Sequence, residues 1–380
     1  MILKQSNTGK RILVLTADAG FGHRRAAEAI EAALAELYGE RCETTVVNPL
    51  HAADAPDIVR QIEAGYDEMV AGDPTLYRIA YQATDAPLVS DIIAELTTRL
   101  LDQTMLKYIQ EHQPHAVVTT YPAYAQPVAS AIKKTGRDTA LAVVITDLTD
   151  VHALWYSPAA TMHFVPTAAI RQQALDNRIP ATRVRVTGLP VHPAFARETR
   201  DPAMLRAELG WELDMPTGLV VASARTRQMA AIVRLLDRAG ITLQLAVVSG
   251  GAGELYEALQ DETWQGLVHL YGRVDNMPQL MRASDFIVTK AGGLITSEAL
   301  ACGLPLVISE ALPGQEVGNA RYVVDGGAGA WAPGAMAVLA TVVSWLRPDD
   351  GQLVERRENA RKLGKPRAAY DIAEGVWGLA

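Results

Sequence analysis

A short segment around position 290 combines a cationic side chain, two glycines and two hydroxyls at a predicted helix start. Asp285–Lys290 is a strand-like apolar run, Ala291–Ile295 is a glycine-containing turn, and a helical pattern begins at Thr296. A glycine turn that leads into a helix start presents backbone N–H groups and a partial positive charge to an anion. We therefore predict a phosphate-binding site whose residues are Lys290, Gly292, Gly293, Thr296 and Ser297.

Glu298 follows directly, one turn into the predicted helix. Its carboxylate could accept hydrogen bonds from the two hydroxyls of a ribose. The alternative is a helix-capping role, because acidic residues are common in the first turn for reasons of the helix dipole alone.

A second polar segment follows the next predicted strand, and it reads PGQEVGN over residues 313–319. Gln315, Glu316 and Asn319 offer both donors and acceptors within five residues, which suits a polyhydroxylated ligand. A surface loop would have a similar composition, but the Pro-Gly lead-in favours a fixed conformation.

Near the N-terminus, the first strand-like run ends in a turn that contains Gly20 and Gly22 and leads into a helical pattern at His23. The positive field of a helix start disfavours imidazolium, so His23 is predicted to be neutral at pH 7 and able to accept a proton. The alternative is a nucleotide-type turn with a capping histidine. Arg25 stands where the third glycine of a G-x-G-x-x-G motif would lie, which disfavours NAD binding.

The elements that must position these residues are short apolar runs alternating with helical patterns. Runs without polar alternation are typical of parallel strands buried on both faces, and strand–helix repetition predicts parallel sheets covered by helices. A helix is predicted over Arg24–Tyr38. The predicted strands are Arg11–Ala17, Glu43–Asn48, His115–Thr120, Ala140–Thr146, Thr161–Val165, Val184–Thr187, Gly218–Ala222, Thr242–Val248, Leu267–Tyr271, Phe286–Thr289 and Leu306–Ser309.

A polar run at Phe195–Pro202 divides the pattern near its midpoint and predicts two Rossmann-like domains, 1–197 and 198–365. Residues 54–112 are strand-poor and carry eleven acidic against four basic side chains. We interpret them as a helical insertion in the first domain.

Composition excludes several classes of protein. The chain has 380 residues, 49% of them hydrophobic and 21% charged, which is typical of globular proteins. A formal net charge of −8 argues against a nucleic-acid partner. Cys42 and Cys302 form no C-x-x-C pair, which favours a reducing compartment. The apolar window Gly334–Leu346 is too short to span a bilayer, and the first residues show no secretory signal, so we expect a cytoplasmic protein.

Six motifs together resemble glycosyltransferase family 28, and within it the monogalactosyldiacylglycerol synthases and bacterial diacylglycerol glucosyltransferases. The resemblance runs in order over about residues 10 to 335. The motifs are GFGH (20–23), ITDLTDVHALWYSP (145–158), VTGLPVHPAF (186–195), YGRVDNMPQLMRASD (271–285), TKAGGLITSEALACGLPLV (289–307) and PGQEVGN (313–319).

The resemblance implies a GT-B fold, in which two Rossmann-like domains with parallel sheets face each other across a cleft. The C-terminal domain would bind a UDP-sugar and the N-terminal domain the lipid acceptor, and the final segment, 366–380, would be a helix that crosses back to the N-terminal domain. The implied donor-side residues are Arg273, Val274 and Met277 around the uracil, Gly292, Gly293 and Ser297 beside the diphosphate, Glu298 on the ribose, and Gln315, Glu316 and Asn319 near the sugar and phosphate. The implied acceptor-side residues are Gly22, His23, Asp147, His152 and Trp155.

The implied reaction moves a hexose from UDP-galactose or UDP-glucose to diacylglycerol with inversion, giving a β-glycosyl diacylglycerol. Such a displacement requires a base for the acceptor hydroxyl, which would be His23, and stabilisation of the departing diphosphate. Helix N-termini can supply that stabilisation. Asp147 and Asp150 are three residues apart and form no Asp-x-Asp pair, so we predict no metal and no cofactor beyond the UDP-sugar co-substrate.

Departures from the family pattern leave alternatives open. The family's glycine-rich loop after the first strand of the second domain is replaced here at 223–228, where Arg225 and Arg227 stand without a glycine, and Thr296 shifts the family hydroxyl by one place. The alternatives are a UDP-sugar transferase with a different acceptor, a UDP-sugar epimerase, and a catalytically impaired nucleotide-sugar-binding protein. The acidic 54–112 segment gives only weak support to peripheral binding at the cytoplasmic membrane face.

Overall fold

The structure is a computed structural model that describes residues 9–18, 22–51, 87–149, 151–222, 226, 228–312, 316–347 and 351–380. It divides into unit 1, formed by Met1–Pro193 and Arg367–Ala380, and unit 2, formed by Ala194–Pro366. Each unit is built around one sheet. Most of the predicted 54–112 insertion lies outside the described residues, as do Gly20, Asp150, Arg225, Arg227 and Gln315.

Unit 1 contains a six-stranded parallel sheet with the strand order β2-β1-β3-β4-β5-β6. Its strands are β1 (Lys10–Leu15), β2 (Cys42–Val47), β3 (Ala116–Thr119), β4 (Ala140–Val144), β5 (Met162–Val165) and β6 (Val184–Val186). The described helices of this unit are α1 (Gly22–Tyr38), α2 (Pro87–His112), α3 (Ala125–Thr135) and α4 (Ala168–Asp176). Because the middle strands are buried on both faces, their sequences are continuously apolar.

A short helix, α5 (Pro193–Arg197), lies at the boundary between the units. Unit 2 repeats the architecture with the strand order β12-β11-β10-β7-β8-β9. Its strands are β7 (Thr217–Val221), β8 (Gln244–Val248), β9 (Leu267–Tyr271), β10 (Phe286–Lys290), β11 (Leu306–Glu310) and β12 (Gly329–Trp331). Its helices are α6 (Pro202–Leu209), α7 (Met229–Asp237), α8 (Gly253–Gln260), α9 (Met277–Ala283), α10 (Gly293–Ala301), α11 (Val317–Asp325), α12 (Ala335–Trp345) and α13 (Gln352–Leu363). The predicted α/β class with two Rossmann-like units is confirmed.

The final helix, α14 (Ala368–Leu379), packs within unit 1 although it follows unit 2 in the chain. The Trp377 ring stacks on Tyr38 at a centroid distance of 4.0 Å, and Lys10 donates from Nζ to the Trp377 backbone oxygen at 2.7 Å. A side chain at Gly375 would collide with the Phe164 ring, so glycine allows the helix to approach β5 closely. These contacts attach the last helix to the first sheet.

Three differences from the predicted elements have local causes. The strand β12 was not predicted, since it has only three residues and contains a glycine. Helix α1 begins at Gly22 rather than at Arg24, which places His23 in its first turn. Helix α10 begins at Gly293 rather than at Thr296, because Gly292 is its N-cap and the second half of the predicted turn is already helical.

Candidate functional site

In both sheets the strand order reverses direction along the chain at one position, between β1 and β3 in unit 1 and between β7 and β10 in unit 2. Ligands in open parallel sheets bind beyond the carboxyl ends of the strands at such a position. His23 follows β1, and Gly292 follows β10. Both predicted sites therefore lie at the expected place in their own sheet.

The His23 ring is surrounded by hydroxyl and aromatic groups. Its Nδ1 lies 2.9 Å from Thr146 Oγ1, just beyond the end of β4. Tyr121 meets the ring edge-on at a centroid distance of 5.2 Å, and Trp155 lies at 6.0 Å. The residue remains partly exposed to solvent, so a ligand can reach it.

Burial lowers the pKa of the His23 imidazole to about 4, and the Thr120 backbone offsets part of this effect. The ring is therefore neutral at pH 7, as predicted from the sequence, and the cause is desolvation rather than the field of the helix start. A neutral imidazole can accept a proton from a hydroxyl that approaches it.

The start of α1 is held by a charged cluster that the sequence analysis missed. Arg24 pairs with Asp18, and Asn48 Nδ2 donates to Asp18 Oδ2 at 3.0 Å. The hydrogen bond from Arg24 lowers the pKa of the Asp18 carboxyl. The cluster ties the end of β1 to the end of β2. The six-residue spacing of Asp18 and Arg24 across the glycine turn was the available signal.

The other residues predicted to lie on the acceptor side have different surroundings. Trp155 is fully buried in the core of unit 1 and contacts His23 with its ring. His152 is buried, and its Nδ1 accepts a hydrogen bond from the Leu154 N–H at 3.1 Å, so it caps the short 3₁₀ helix Ala153–Trp155. Asp147 is half-buried.

Gly22 begins α1, and a Cβ at this position would meet open space. Packing against the described residues therefore does not require a glycine at this position.

In unit 2, the predicted phosphate site lies where β10 ends and α10 begins. The pairing of β10 with β11 shifts register between Thr289 and Lys290, so that Lys290 is aligned with Glu310. Gly292 is the N-cap of α10, with no side chain capping the helix. The N–H groups of the first turn are thus not covered by a capping side chain, which suits an anion.

Lys290 forms an ion pair with Glu316 within unit 2. The second carboxylate oxygen of Glu316 accepts from the Leu312 N–H at 3.0 Å, so the carboxylate is anchored at both oxygens. The side chains are 18% and 9% exposed, respectively. Asn319 is buried and donates from Nδ2 to the Ala291 backbone oxygen at 3.0 Å. Lys290, Glu316 and Asn319 therefore meet around the glycine turn.

The hydroxyls of Ser297 and Thr296 on α10 differ in their hydrogen bonding. Ser297 Oγ donates to the Gly293 backbone oxygen at 2.9 Å, one helical turn earlier. Thr296 is fully buried, and its Oγ1 has no hydrogen-bond partner among the described residues. Glu298 is half-buried on the same helix.

The predicted uracil residues lie after β9. Arg273 is exposed, Val274 is half-buried, and Met277 is the half-buried first residue of α9. Of the 223–228 loop after β7, the structure describes Thr226 and Gln228, and the Gln228 N–H donates to Glu310 Oε1 at 3.2 Å. This bond connects the loop to the strand next to β10.

Within the described ranges, no three His, Cys, Asp or Glu side chains come close enough to hold a metal ion. None of the described helices combines the length and the apolar character required to cross a bilayer.

Comparison with known proteins bears on both halves of the chain. Residues 23–191 match the family model of monogalactosyldiacylglycerol (MGDG) synthase, and residues 221–346 match that of the glycosyl transferases group 1. The chain is a glycosyltransferase. The resemblance to the monogalactosyldiacylglycerol synthases predicted from the sequence is thereby confirmed.

Two relatives illustrate the extent of the similarity. A probable chloroplastic monogalactosyldiacylglycerol synthase of Glycine max is 29% identical, over 97% of this chain and 71% of its own length. The chloroplastic monogalactosyldiacylglycerol synthase 1 of Arabidopsis thaliana is 27% identical, over 99% of this chain and 72% of its own.

Solved structures support the fold. The glycosyltransferase resembles the S. aureus MnaA-UDP co-structure with a TM-score of 0.63 and 18% identity, covering 98% of each chain. It resembles Acinetobacter baumannii MurG with a TM-score of 0.61 and 14% identity, covering 97% of this chain and 99% of that one. The predicted GT-B fold class is confirmed. At these sequence identities the similarity establishes the fold but not the reaction.

The matched segments contain nearly all the predicted site residues of the glycosyltransferase. The first matched segment begins at His23 and includes Asp147, His152 and Trp155, and the second includes the donor-side residues from Arg273 to Asn319. The roles of the individual residues stay predictions.

Proposed function

We propose that this glycosyltransferase transfers a hexosyl group from a UDP-sugar to diacylglycerol with inversion, producing a β-glycosyl diacylglycerol. The observation that supports this best is a neutral, partly accessible imidazole at the start of α1, in the segment that matches the MGDG synthases. The sugar is proposed to be galactose or glucose, and galactose is the sugar in the names of the relatives.

In this mechanism, His23 accepts the proton of the acceptor hydroxyl as the oxygen attacks the anomeric carbon. The bond between the anomeric carbon and the diphosphate oxygen breaks, and its electron pair leaves with UDP. The N–H groups at the start of α10 and the ammonium of Lys290 stabilise the departing charge. Glu316 balances that ammonium when no donor is bound. We propose that these residues need no metal ion or further cofactor.

Unit 1 offers room for a lipid beside the base. A groove of about 470 Å³ lies between α2, α3 and the 153–159 segment. Its lining includes Pro122 and Leu154, the chain neighbours of Tyr121 and Trp155, which contact the His23 ring. We propose that an acyl chain of diacylglycerol occupies this groove, which has the size of a typical ligand site.

The proposed acceptor is a membrane lipid, so we propose peripheral binding at the cytoplasmic face of a membrane. Ile92 and Leu96 lie one turn apart on α2 and are 67% and 56% exposed, which gives this helix an apolar edge. Flotation of the purified protein with diacylglycerol-containing vesicles tests this proposal. Protein that stays with the lipid-free fractions would contradict it.

The function is tested by incubating the purified protein with UDP-galactose or UDP-glucose and diacylglycerol. We expect one donor to be converted to UDP with a glycolipid as the second product, and a β-anomeric coupling in its NMR spectrum. An isomerised sugar nucleotide without lipid product would instead identify an epimerase. Binding of UDP-sugar without turnover would identify a binding protein.

A further inference from the structure

Three threonines surround the candidate base, and each follows the end of a different strand. Thr16 follows β1, Thr120 follows β3 and Thr146 lies two residues beyond β4. All three are buried. Since parallel strands end at the same edge of a sheet, the fold brings these hydroxyls together at the switch in strand order.

The hydroxyls contact His23 at two separate points. Thr146 Oγ1 lies 2.9 Å from the ring nitrogen Nδ1. Thr120 Oγ1 donates to the His23 backbone oxygen at 3.0 Å and lies 3.0 Å from Thr16 Oγ1. One contact therefore orients the ring, and the other holds the backbone that carries it.

We propose that Thr146 is the positioning residue of the base, accepting a hydrogen bond from His23 Nδ1–H so that the Nε2 lone pair faces the acceptor hydroxyl. Thr120, supported by Thr16, fixes the His23 backbone. The inference rests on the proposed function and specifies which nitrogen acts. In an ordinary nucleophile–base arrangement a third group orients the base, and here that group is an uncharged hydroxyl.

The proton balance of the transfer step follows from this assignment. The acceptor O–H proton passes to Nε2, and the ring becomes imidazolium. Its Nδ1–H remains hydrogen-bonded to Thr146 Oγ1 throughout. The acceptor oxygen bonds to the anomeric carbon, and the electron pair of the broken bond leaves with the diphosphate. Among the described residues, the contacts of the ring are one hydroxyl and two aromatic rings.

The first experiment compares substitutions at the two ends of β4. Thr146→Val removes the hydroxyl at nearly constant volume, and Thr146→Ser restores it. Thr139→Val is the matched control, because Thr139 precedes β4, is buried, and donates to the Pro114 backbone oxygen at 2.9 Å at the opposite end of the strand. Each of the two valine variants loses one neutral hydrogen bond.

We expect Thr146→Val to lower kcat about ten-fold or more with an unchanged KM for the UDP-sugar. Thr146→Ser should recover most of kcat, and Thr139→Val should retain the wild-type rate. A wild-type kcat in Thr146→Val would overturn the proposal. Equal losses in the valine and serine variants would also overturn it, since they would indicate packing alone.

The second experiment does not require turnover. Nitrogen chemical shifts of ¹⁵N-histidine in the wild-type protein at pH 7, assigned with His23→Gln, report which ring nitrogen carries the proton. We expect His23 to be protonated at Nδ1, and protonation at Nε2 would overturn the proposal. If no donor is turned over and Nδ1 is nevertheless protonated, the proposed function fails and the assignment of the ring stands.

Discussion

The two units share one backbone arrangement at their candidate sites but surround it with different side chains. In each unit a helix begins just beyond the strand at which the order of the sheet reverses, and a glycine lies at that helix start. In unit 1 the His23 ring contacts one hydroxyl and two aromatic rings and stays neutral. In unit 2 the glycine turn is next to the ion pair of Lys290 and Glu316.

The difference indicates that one backbone arrangement can support different chemistry, because the neighbours of the helix start determine the charge at that point. Desolvation without a counter-charge keeps an imidazole in its proton-accepting form. A cation that is already paired is held in place and can exchange one anionic partner for another. The first arrangement suits a base, and the second suits a diphosphate.

The largest expected effect tests the base of unit 1. We expect His23→Ala to lower kcat by about 10²- to 10⁴-fold, the range attributable to general base catalysis. The affinity for UDP should change little, because we place UDP binding in unit 2. Steady-state kinetics and calorimetry with UDP measure the two quantities separately.

The matched control for this variant is His51→Ala. His51 is an exposed imidazole of the same unit, 3.6 Å from Asp18, and has no proposed role in proton transfer. Its removal should leave kcat within a few-fold of wild type. Wild-type turnover in His23→Ala would show that this residue is not the base. The proposed contrast between a base in unit 1 and a diphosphate site in unit 2 would then fail.

A second prediction concerns the stability of the protein at acid pH, which should depend on the buried neutral histidines of unit 1. Burial lowers the pKa of both His23 and His163 to about 4, and both residues lie in unit 1. Such a histidine takes up its proton only on unfolding at pH values between about 4 and 6.5. Its contribution to stability is therefore complete above pH 6.5 and is lost as the pH falls towards 4.

The size of this contribution is about 3 kcal/mol for the fully buried His163. His163→Gln should accordingly flatten the decline in the free energy of unfolding between pH 7 and pH 4.5, measured by urea denaturation. Thr139→Val, at a buried position of the same unit without a titratable group, should keep the wild-type slope. Identical slopes in wild type and His163→Gln would show that this buried imidazole does not control acid stability.

Much of this contrast could be predicted from the sequence, because it depends on local signals. Continuous apolar runs located eleven of the twelve described strands, and the glycine turns located both helix starts to within about three residues. A positive helix end next to His23 predicted a neutral ring correctly. The strands, the helix starts and the neutral His23 ring depend mainly on residues that are close to one another in the sequence.

Contacts between distant segments could not be predicted in this way. Thr146 is 123 residues from His23 in the chain, and Lys290 is 26 from Glu316. Their meeting depends on strand order, which a single sequence does not specify. For the same reason, Lys290 and Glu316 were predicted as separate ligand contacts, whereas the structure pairs them.

A third prediction tests the charged site of unit 2. Lys290→Met should weaken UDP binding about ten-fold or more, since a charge-assisted contact to the diphosphate is lost. Glu316→Gln is the matched variant, because the amide oxygen can still accept from the Leu312 N–H while the competing carboxylate charge is gone. It should bind UDP at least as well as wild type by calorimetry.

The opposite result would break the comparison. If Lys290→Met binds UDP with wild-type affinity, the ion pair is a structural element of unit 2 and the diphosphate is held by backbone N–H groups alone. A stable fold in both variants, checked by thermal melting, separates this outcome from general damage.

The smallest expected effect concerns the groove beside the base. Ala129 lies on α3 and lines the groove, so Ala129→Phe should fill part of its volume of about 470 Å³. We expect a KM for long-chain diacylglycerol that is a few-fold higher, because displacing one buried methylene costs about 0.8 kcal/mol, which corresponds to about four-fold. Short-chain diacylglycerol is the internal control, since a chain that does not reach Ala129 should be used as well as by wild type. An equal rise in KM for both lipids would show that the acyl chain binds elsewhere. The surroundings of His23 would then be a site for the diacylglycerol hydroxyl alone.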